Sequence, residues 1–293
     1  MAIYDVHGNI IYDGGGVTPS YTDAECRTAF MAEVNKKAAS IGMANSNFLR
    51  PAGDSSTAQT TASDMALLTL IASGYKELAE VWSKDSYTFT PRNKTSSITV
   101  NSTVKNATLE ASYPILGGKT GSWSGGYRAL ACLCDVNGKQ VAGYIAGCAS
   151  DAARFTAMKQ LMDICASILN GGTSSDTVTD ADYAVAFEVP TYYPMNYEQQ
   201  TFTPIYTQSG TTSLVPASTA KIITAVTMLD WVDDINETFT FVSSDAIGGS
   251  GSVFSTGDVI SFKDALYAMM LPSSNMAAHA VARAVGAKIL TLS

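Results

Sequence analysis

A chain of 293 residues, 46% hydrophobic and 15% charged, has room for one large domain or two subdomains and carries too much apolar side chain to stay disordered. Its formal net charge of −8 and lack of any basic run exclude nucleic acid and anionic membrane surfaces as main partners, since nothing is there to neutralise phosphates. The longest mostly apolar run, Ile222 to Val232, is broken by threonines and an aspartate and is too short to span a bilayer.

In chain order, the start Met1-Ala2-Ile3-Tyr4-Asp5 lacks the basic and long apolar regions of a signal peptide, which leaves either a cytosolic protein or one whose export signal this sequence does not carry. Two β-prone runs around His7-Gly8-Asn9 predict a hairpin over residues 2–12. Phe30, Met31, Val34, Ala38 and Ile41 fall at helical spacing and stop at Gly42, a core-facing helix with a glycine cap. Thr61, with Asp64 three residues on, opens a second helix whose Met65, Leu68 and Ile71 share a face until Gly74. Residues 84–113 are rich in Ser, Thr and Asn and predict exposed strands and loops.

Gly117 to Ser122 then leads into a β-prone run, Tyr127 to Val136, an Asn137-Gly138 turn and a further run, Gln140 to Gly147. This predicts an antiparallel meander, with Cys132 and Cys134 on one face as small buried side chains. Phe155, Met158, Leu161, Met162, Cys165 and Ile168 form an amphipathic helix ending at Asn170-Gly171-Gly172. The small polar residues from Thr173 to Asp182 read as a flexible linker. Strand-like runs Tyr183 to Val189 and Phe202 to Gln208 come next, followed by a helix starting near Pro216. Ser261 and Asp264 open another helix in capping-box form, Pro272 closes it, and an alanine-rich helix follows Asn275. Five cysteines without Cys-x-x-Cys, and two distant histidines, His7 and His279, point to no metal, disulfide framework or cofactor.

The chemistry concentrates in Pro216-Ala217-Ser218-Thr219-Ala220-Lys221. Residues three apart on a helix project from one face, so the Lys221 amine can reach the Ser218 hydroxyl and take its proton. A helix N-terminus adds N–H groups and a positive dipole end for the oxyanion formed when Ser218 attacks a carbonyl. Ser-x-x-Lys also occurs at Ser73 to Lys76 and Ser102 to Lys105, and the plainer reading of Ser218 is a capping serine with a solvated lysine one turn on. Two other triplets bear on the choice: Ser273-Ser274-Asn275, otherwise a helix cap, and Lys119-Thr120-Gly121, otherwise a solvated strand entry.

The three motifs together resemble the set used by penicillin-binding proteins and serine β-lactamases. Most of the chain is similar to the low-molecular-mass penicillin-binding proteins, the serine D-alanyl-D-alanine carboxypeptidases. The stretches that carry the likeness are Thr256-Gly257-Asp258, Tyr267 through Ala278, Val34-Asn35-Lys36-Lys37-Ala38, Ile41-Gly42-Met43, Arg50-Pro51-Ala52-Gly53 and Thr60-Thr61-Ala62-Ser63-Asp64-Met65. The resemblance implies that Ser218 attacks the carbonyl, Lys221 takes its proton, Ser273 relays a proton to the leaving amine and Asn275 orients the substrate amide. Lys119 and Thr120 would hold the substrate carboxylate, and Gly121 would let the substrate backbone lie against the strand. The N–H groups of Ser218 and Ser122 would form the oxyanion hole, and Lys119 would lower the pKa of Lys221. Partners so implied are a peptidoglycan stem peptide ending in D-Ala-D-Ala and β-lactam antibiotics as covalent inhibitors, in an extracytoplasmic location.

In the family the order is Ser-x-x-Lys, Ser-x-Asn, Lys-Thr-Gly, whereas here Lys119 comes first; rotating the chain so that Ser293 is followed by Met1 restores that order, as in a circular permutant. Smaller departures are Met276, where the family often has an acidic residue, and Ala52, where it has a loop histidine. The expected fold is α/β of the α+β kind, a transpeptidase or β-lactamase-like single catalytic domain, 1–293. Its antiparallel sheet with flanking helices covers about 110–215, a mostly helical subdomain covers about 1–109 and 216–293, and the site lies between them. The rivals are a serine β-lactamase, although the Glu-x-x-Leu-Asn motif is absent, and a penicillin-binding sensor that acylates without turnover.

Overall fold

The computed structural model describes residues 3–4, 10–12, 21–191 and 201–292. In chain order come β1 (Ile3–Tyr4), β2 (Ile10–Tyr12), α1 (Asp23–Ser40), β3 (Thr60–Thr61), α2 (Ala62–Ala72), α3 (Lys76–Trp82), β4 (Ser86–Phe89), β5 (Ile98–Asn101), α4 (Ala107–Glu110), β6 (Ile115–Ser122), β7 (Arg128–Val136), β8 (Lys139–Cys148) and α5 (Asp151–Leu169). After them run β9 (Tyr183–Glu188), β10 (Tyr206–Gln208), β11 (Ser213–Leu214), α6 (Lys221–Trp231), β12 (Thr238–Thr240), β13 (Val259–Ser261), α7 (Phe262–Met270) and α8 (Asn275–Leu292). β1 and β2 pair antiparallel, while the turn expected between them lies outside the described residues.

Helices begin where a short polar side chain accepts a free backbone N–H. Thr22, Thr61, Ser150 and Ser261 do so for α1, α2, α5 and α7, and at Thr22 and Ser261 the carboxylates of Glu25 and Asp264 return the bond as capping boxes. At Thr61 the Asp64 carboxylate turns outward to the loop, accepting from the Asn45 N–H at 3.0 Å and the Ser46 hydroxyl at 2.7 Å.

The main sheet is antiparallel, in the order β10-β9-β8-β7-β6. Between β7 and β8 both turn residues take the left-handed conformation, Asn137 at φ 57° and Gly138 at φ 84°, which is why Asn-Gly stands there. Alternation along β7 divides the core: Leu130, Cys132 and Cys134 join the cluster beneath Met158, Leu161 and Met162 of α5, while Ala129, Ala131 and Leu133 face the cluster shared with α2 and the helices α6 to α8. The sheet is thereby covered on both faces, and β6, which carries Lys-Thr-Gly, is left as an edge. Among the described residues no helix is long and apolar enough to cross a membrane.

The stretch from Thr173 to Asp182, expected to be a flexible linker, is strapped to the sheet. Gln208 on β10 accepts from the Val178 N–H at 2.9 Å and donates to the Val178 and Ala181 carbonyls at 3.1 and 2.9 Å, and Gln160 on α5 accepts from the Thr179 N–H at 2.9 Å. Val178 and Ala181 are buried, so the segment contributes to the core.

Candidate active site

Residues Ala217–Ala220 form a 3-10 turn that runs into α6 at Lys221. Residues three apart eclipse in a 3-10 turn, which stacks Lys221 over Ser218 more directly than the α-helical spacing expected from sequence. Lys221 Nζ lies 2.9 Å from Ser218 Oγ, 2.8 Å from Asn275 Oδ1 and 3.0 Å from the Ala52 carbonyl oxygen. In its neutral form the amine has two hydrogens and one lone pair; with the hydrogens given to the Ala52 and Asn275 acceptors, the lone pair is left for the Ser218 hydroxyl. Complete burial pushes the Lys221 pKa down to about 7, against an upward pull from the Asp54 carboxylate.

The turn itself is strained and clamped. Ala217 sits at φ 49°, unfavourable for a residue with a Cβ. The Thr219 hydroxyl donates back to the Pro216 carbonyl at 2.5 Å. Gly53, at φ 75°, presses its backbone so closely on the turn that a Cβ there would lie 1.9 Å from the Ala217 carbonyl oxygen.

On the α8 side, the Ser274 hydroxyl caps the helix by accepting from the Ala277 N–H at 3.1 Å, which leaves Ser273 free of that duty. Ser273 takes φ 67°, and its buried Oγ has no hydrogen-bond partner among the described residues. The Asn275 side chain donates to the Gly248 carbonyl at 3.3 Å, which fixes its Oδ1 toward Lys221.

Across from these, β6 lies against the Ser218 turn: a Cβ on Gly121 would stand 3.1 Å from Thr219 Cγ2 and 3.4 Å from the Pro216 carbonyl oxygen. Lys119 is wholly buried and donates to the Thr120 carbonyl at 2.9 Å; the Thr120 and Thr103 hydroxyls are 2.8 Å apart. Arg154 donates to the Gly121 carbonyl at 3.1 Å and the Ser122 hydroxyl at 3.4 Å, and pairs with Asp151. Burial, then the charges of Lys221 and Arg154, hold Lys119 well below the usual lysine pKa. Burial is the first cause for both amines, and repulsion between them disfavours protonating the second once the first is charged.

The other two Ser-x-x-Lys pairs are engaged elsewhere. The Ser73 hydroxyl donates to the Leu70 carbonyl at 2.6 Å, and Lys105 reaches Glu110 and the Ile115 carbonyl, both at 3.2 Å. The Ala52 carbonyl, Asp54, Thr103 and Arg154 were not foreseen, because no spacing in the chain marks a backbone acceptor or a contact between residues so far apart in sequence. Among the described residues no group of three His, Cys, Asp or Glu side chains could hold a metal.

A family model described as D-alanyl-D-alanine carboxypeptidase matches residues 24–145, which include Lys119 to Ser122, and one described as a β-lactamase enzyme family matches residues 192–291, which include Ser218, Lys221, Ser273 and Asn275. Both descriptions fall within the penicillin-recognising serine enzymes, and the two matches together support that family for this chain. The mixed α/β architecture with its antiparallel sheet is the transpeptidase or β-lactamase-like fold of those enzymes, and their chemistry makes this chain a serine hydrolase. No curated protein and no solved structure matches it significantly.

Proposed function

We propose that this penicillin-recognising enzyme is a D-alanyl-D-alanine carboxypeptidase acting on peptidoglycan stem peptides. The observation that carries the reading is the 2.9 Å approach of the buried Lys221 Nζ, its pKa lowered to about 7, to Ser218 Oγ. Lys221 takes the Ser218 proton as Oγ attacks the penultimate D-Ala carbonyl, and the N–H groups of Ser218 and Ser122 receive the oxyanion. Ser273, whose hydroxyl has no partner among the described residues, relays the proton taken up by Lys221: it gives its own to the nitrogen of the departing D-Ala and regains one from the Lys221 ammonium, while Asn275 orients the peptide amide. Water then attacks the acyl ester, releasing the shortened peptide and returning the proton to Ser218. Lys119 and Thr120 take the terminal carboxylate, an anion that a buried amine beside Arg154 otherwise lacks, and Gly121 lets the peptide backbone approach β6.

β-Lactams enter the same path as covalent inhibitors, and the substrate puts the protein outside the cytoplasm. The site then lies between the sheet subdomain and the helical subdomain, in a chain whose motif order is circularly permuted. Both family matches support the permutation, since the one holding Lys-Thr-Gly precedes the one holding Ser-x-x-Lys. The β-lactamase description over residues 192–291 favours a second reading, hydrolysis of the β-lactam itself. Released D-alanine from a D-Ala-D-Ala peptide, measured beside the turnover of a chromogenic cephalosporin, separates them: peptide turnover with a stable penicilloyl adduct supports the carboxypeptidase, and the reverse supports the lactamase.

A further inference from the structure

Behind Lys221 stands a pair of ionisable side chains that this reaction does not use. Asp54 lies two residues beyond Ala52, whose carbonyl accepts from Lys221 Nζ, and His279 lies one α8 turn beyond Asn275, whose Oδ1 accepts from the same nitrogen. Each arm of the Lys221 cradle thus carries one member of the pair. His279 Nε2 is 3.9 Å from Asp54 Oδ1, beyond hydrogen-bond reach, and both atoms are buried without a partner among the described residues. Polar atoms are rarely left so, and these two face one another beside the site.

We propose that Asp54 and His279 are a positioning pair for the Lys221 base: the Asp54 carboxylate sets the pH at which Lys221 gives up its proton, and His279 holds that carboxylate ionised and in place. The inference rests on the reading of Ser218 and Lys221 given above. Burial alone would leave the amine too weak a base, because a base works best when its pKa lies near the working pH. A negative charge set one loop turn away opposes burial without touching the amine. The polar contact with the facing imidazole holds the Asp54 carboxyl below its usual range against burial that pushes it up, and Arg50 adds to the lowering. Among the described residues, Arg50 on the same loop donates to Asp54 Oδ2 at 3.4 Å, Arg27 from α1 donates to the His279 carbonyl at 3.4 Å, and the charge of Lys119 on β6 is coupled to that of Lys221.

The test is the rate of acylation by a fluorescent penicillin between pH 5 and 9, in the full chain. Asp54→Asn is expected to move the acid limb to lower pH by roughly half a unit to one unit, as for losing one nearby charge, and to lower the plateau several-fold. His279→Leu should reproduce part of that shift, and His279→Gln, which restores a polar partner, should reverse it. If Asp54→Asn does not fold, Asp54→Ser reads the same limb. An acid limb that stays in place in the Asp54 variant while the melting temperature falls overturns the pair, since a merely structural role would do that. A wild type that takes no label overturns the reading of Ser218, and the pair with it.

Discussion

The Tyr21 hydroxyl donates to the Leu290 carbonyl across 2.9 Å although 269 positions separate them. The bond ties the start of α1 to the last turn of α8, so the two helices that the family places in succession are within reach of a short loop here. A rotated chain, opened between the exposed Gly171 and Gly172 and closed by a short Gly-Ser loop from Leu292 to Tyr21, should fold and take penicillin label, with a melting temperature within a few degrees of the parent. An insoluble or unlabelled rotamer of the chain would speak against the permutation.

Lys221→Met should abolish acylation and yet stabilise the protein at neutral pH. In the wild type the folded pKa is near 7 and the unfolded lysine has its ordinary value near 10.5, so between those values the unfolded chain binds a proton that the folded one does not, and stability is lost as pH falls. The advantage of the variant is therefore greatest below about pH 7 and shrinks as pH rises toward 10. Differential scanning of the two proteins side by side checks this; comparing them removes the contribution of the buried tyrosines and cysteines they share.

Lys119→Met should lower kcat/KM for a D-Ala-D-Ala peptide by about 2 to 3 kcal/mol of transition-state binding, roughly 30- to 150-fold, the scale for losing a charge-assisted hydrogen bond. Its melting temperature should hold or rise, because a buried amine with no carboxylate partner is replaced by an apolar side chain of similar length. A variant that keeps full activity but melts early would make Lys119 a structural residue.

Gly53→Ala should destabilise by about 1 to 3 kcal/mol and slow acylation out of proportion, because the new methyl group collides with the Ala217 carbonyl of the Ser218 turn. Gly138→Ala is the matched comparison: it is also left-handed, at φ 84°, but opens onto free space. It should lose stability with the labelling rate intact.

What the sequence made legible is local. The capping residues Thr61 and Ser261, the Asn137-Gly138 turn and the alternation through Cys132 and Cys134 each leave a short, regular imprint, and the structure follows them. The separation of Ser218 from Lys221 was legible too, although its 3-10 geometry was not, since three-residue spacing is shared by both helix types. Long-range side-chain bonds leave no such imprint. Gln208 pins Val178 across 30 positions, turning a linker by composition into a strap, and nothing periodic announces that. Nor does the sequence say that Lys221 owes its low pKa to burial, because burial follows from packing of α6 against α7 and α8.

The central claim is that Ser218 is the nucleophile, and the most direct measurement is mass-spectrometric mapping of the peptide that a penicillin modifies. The account predicts an adduct on Ser218, absent in Ser218→Ala and slowed sharply in Lys221→Met. An adduct on Ser73, Ser102 or Ser273, or labelling that survives Ser218→Ala in the folded protein, would contradict it.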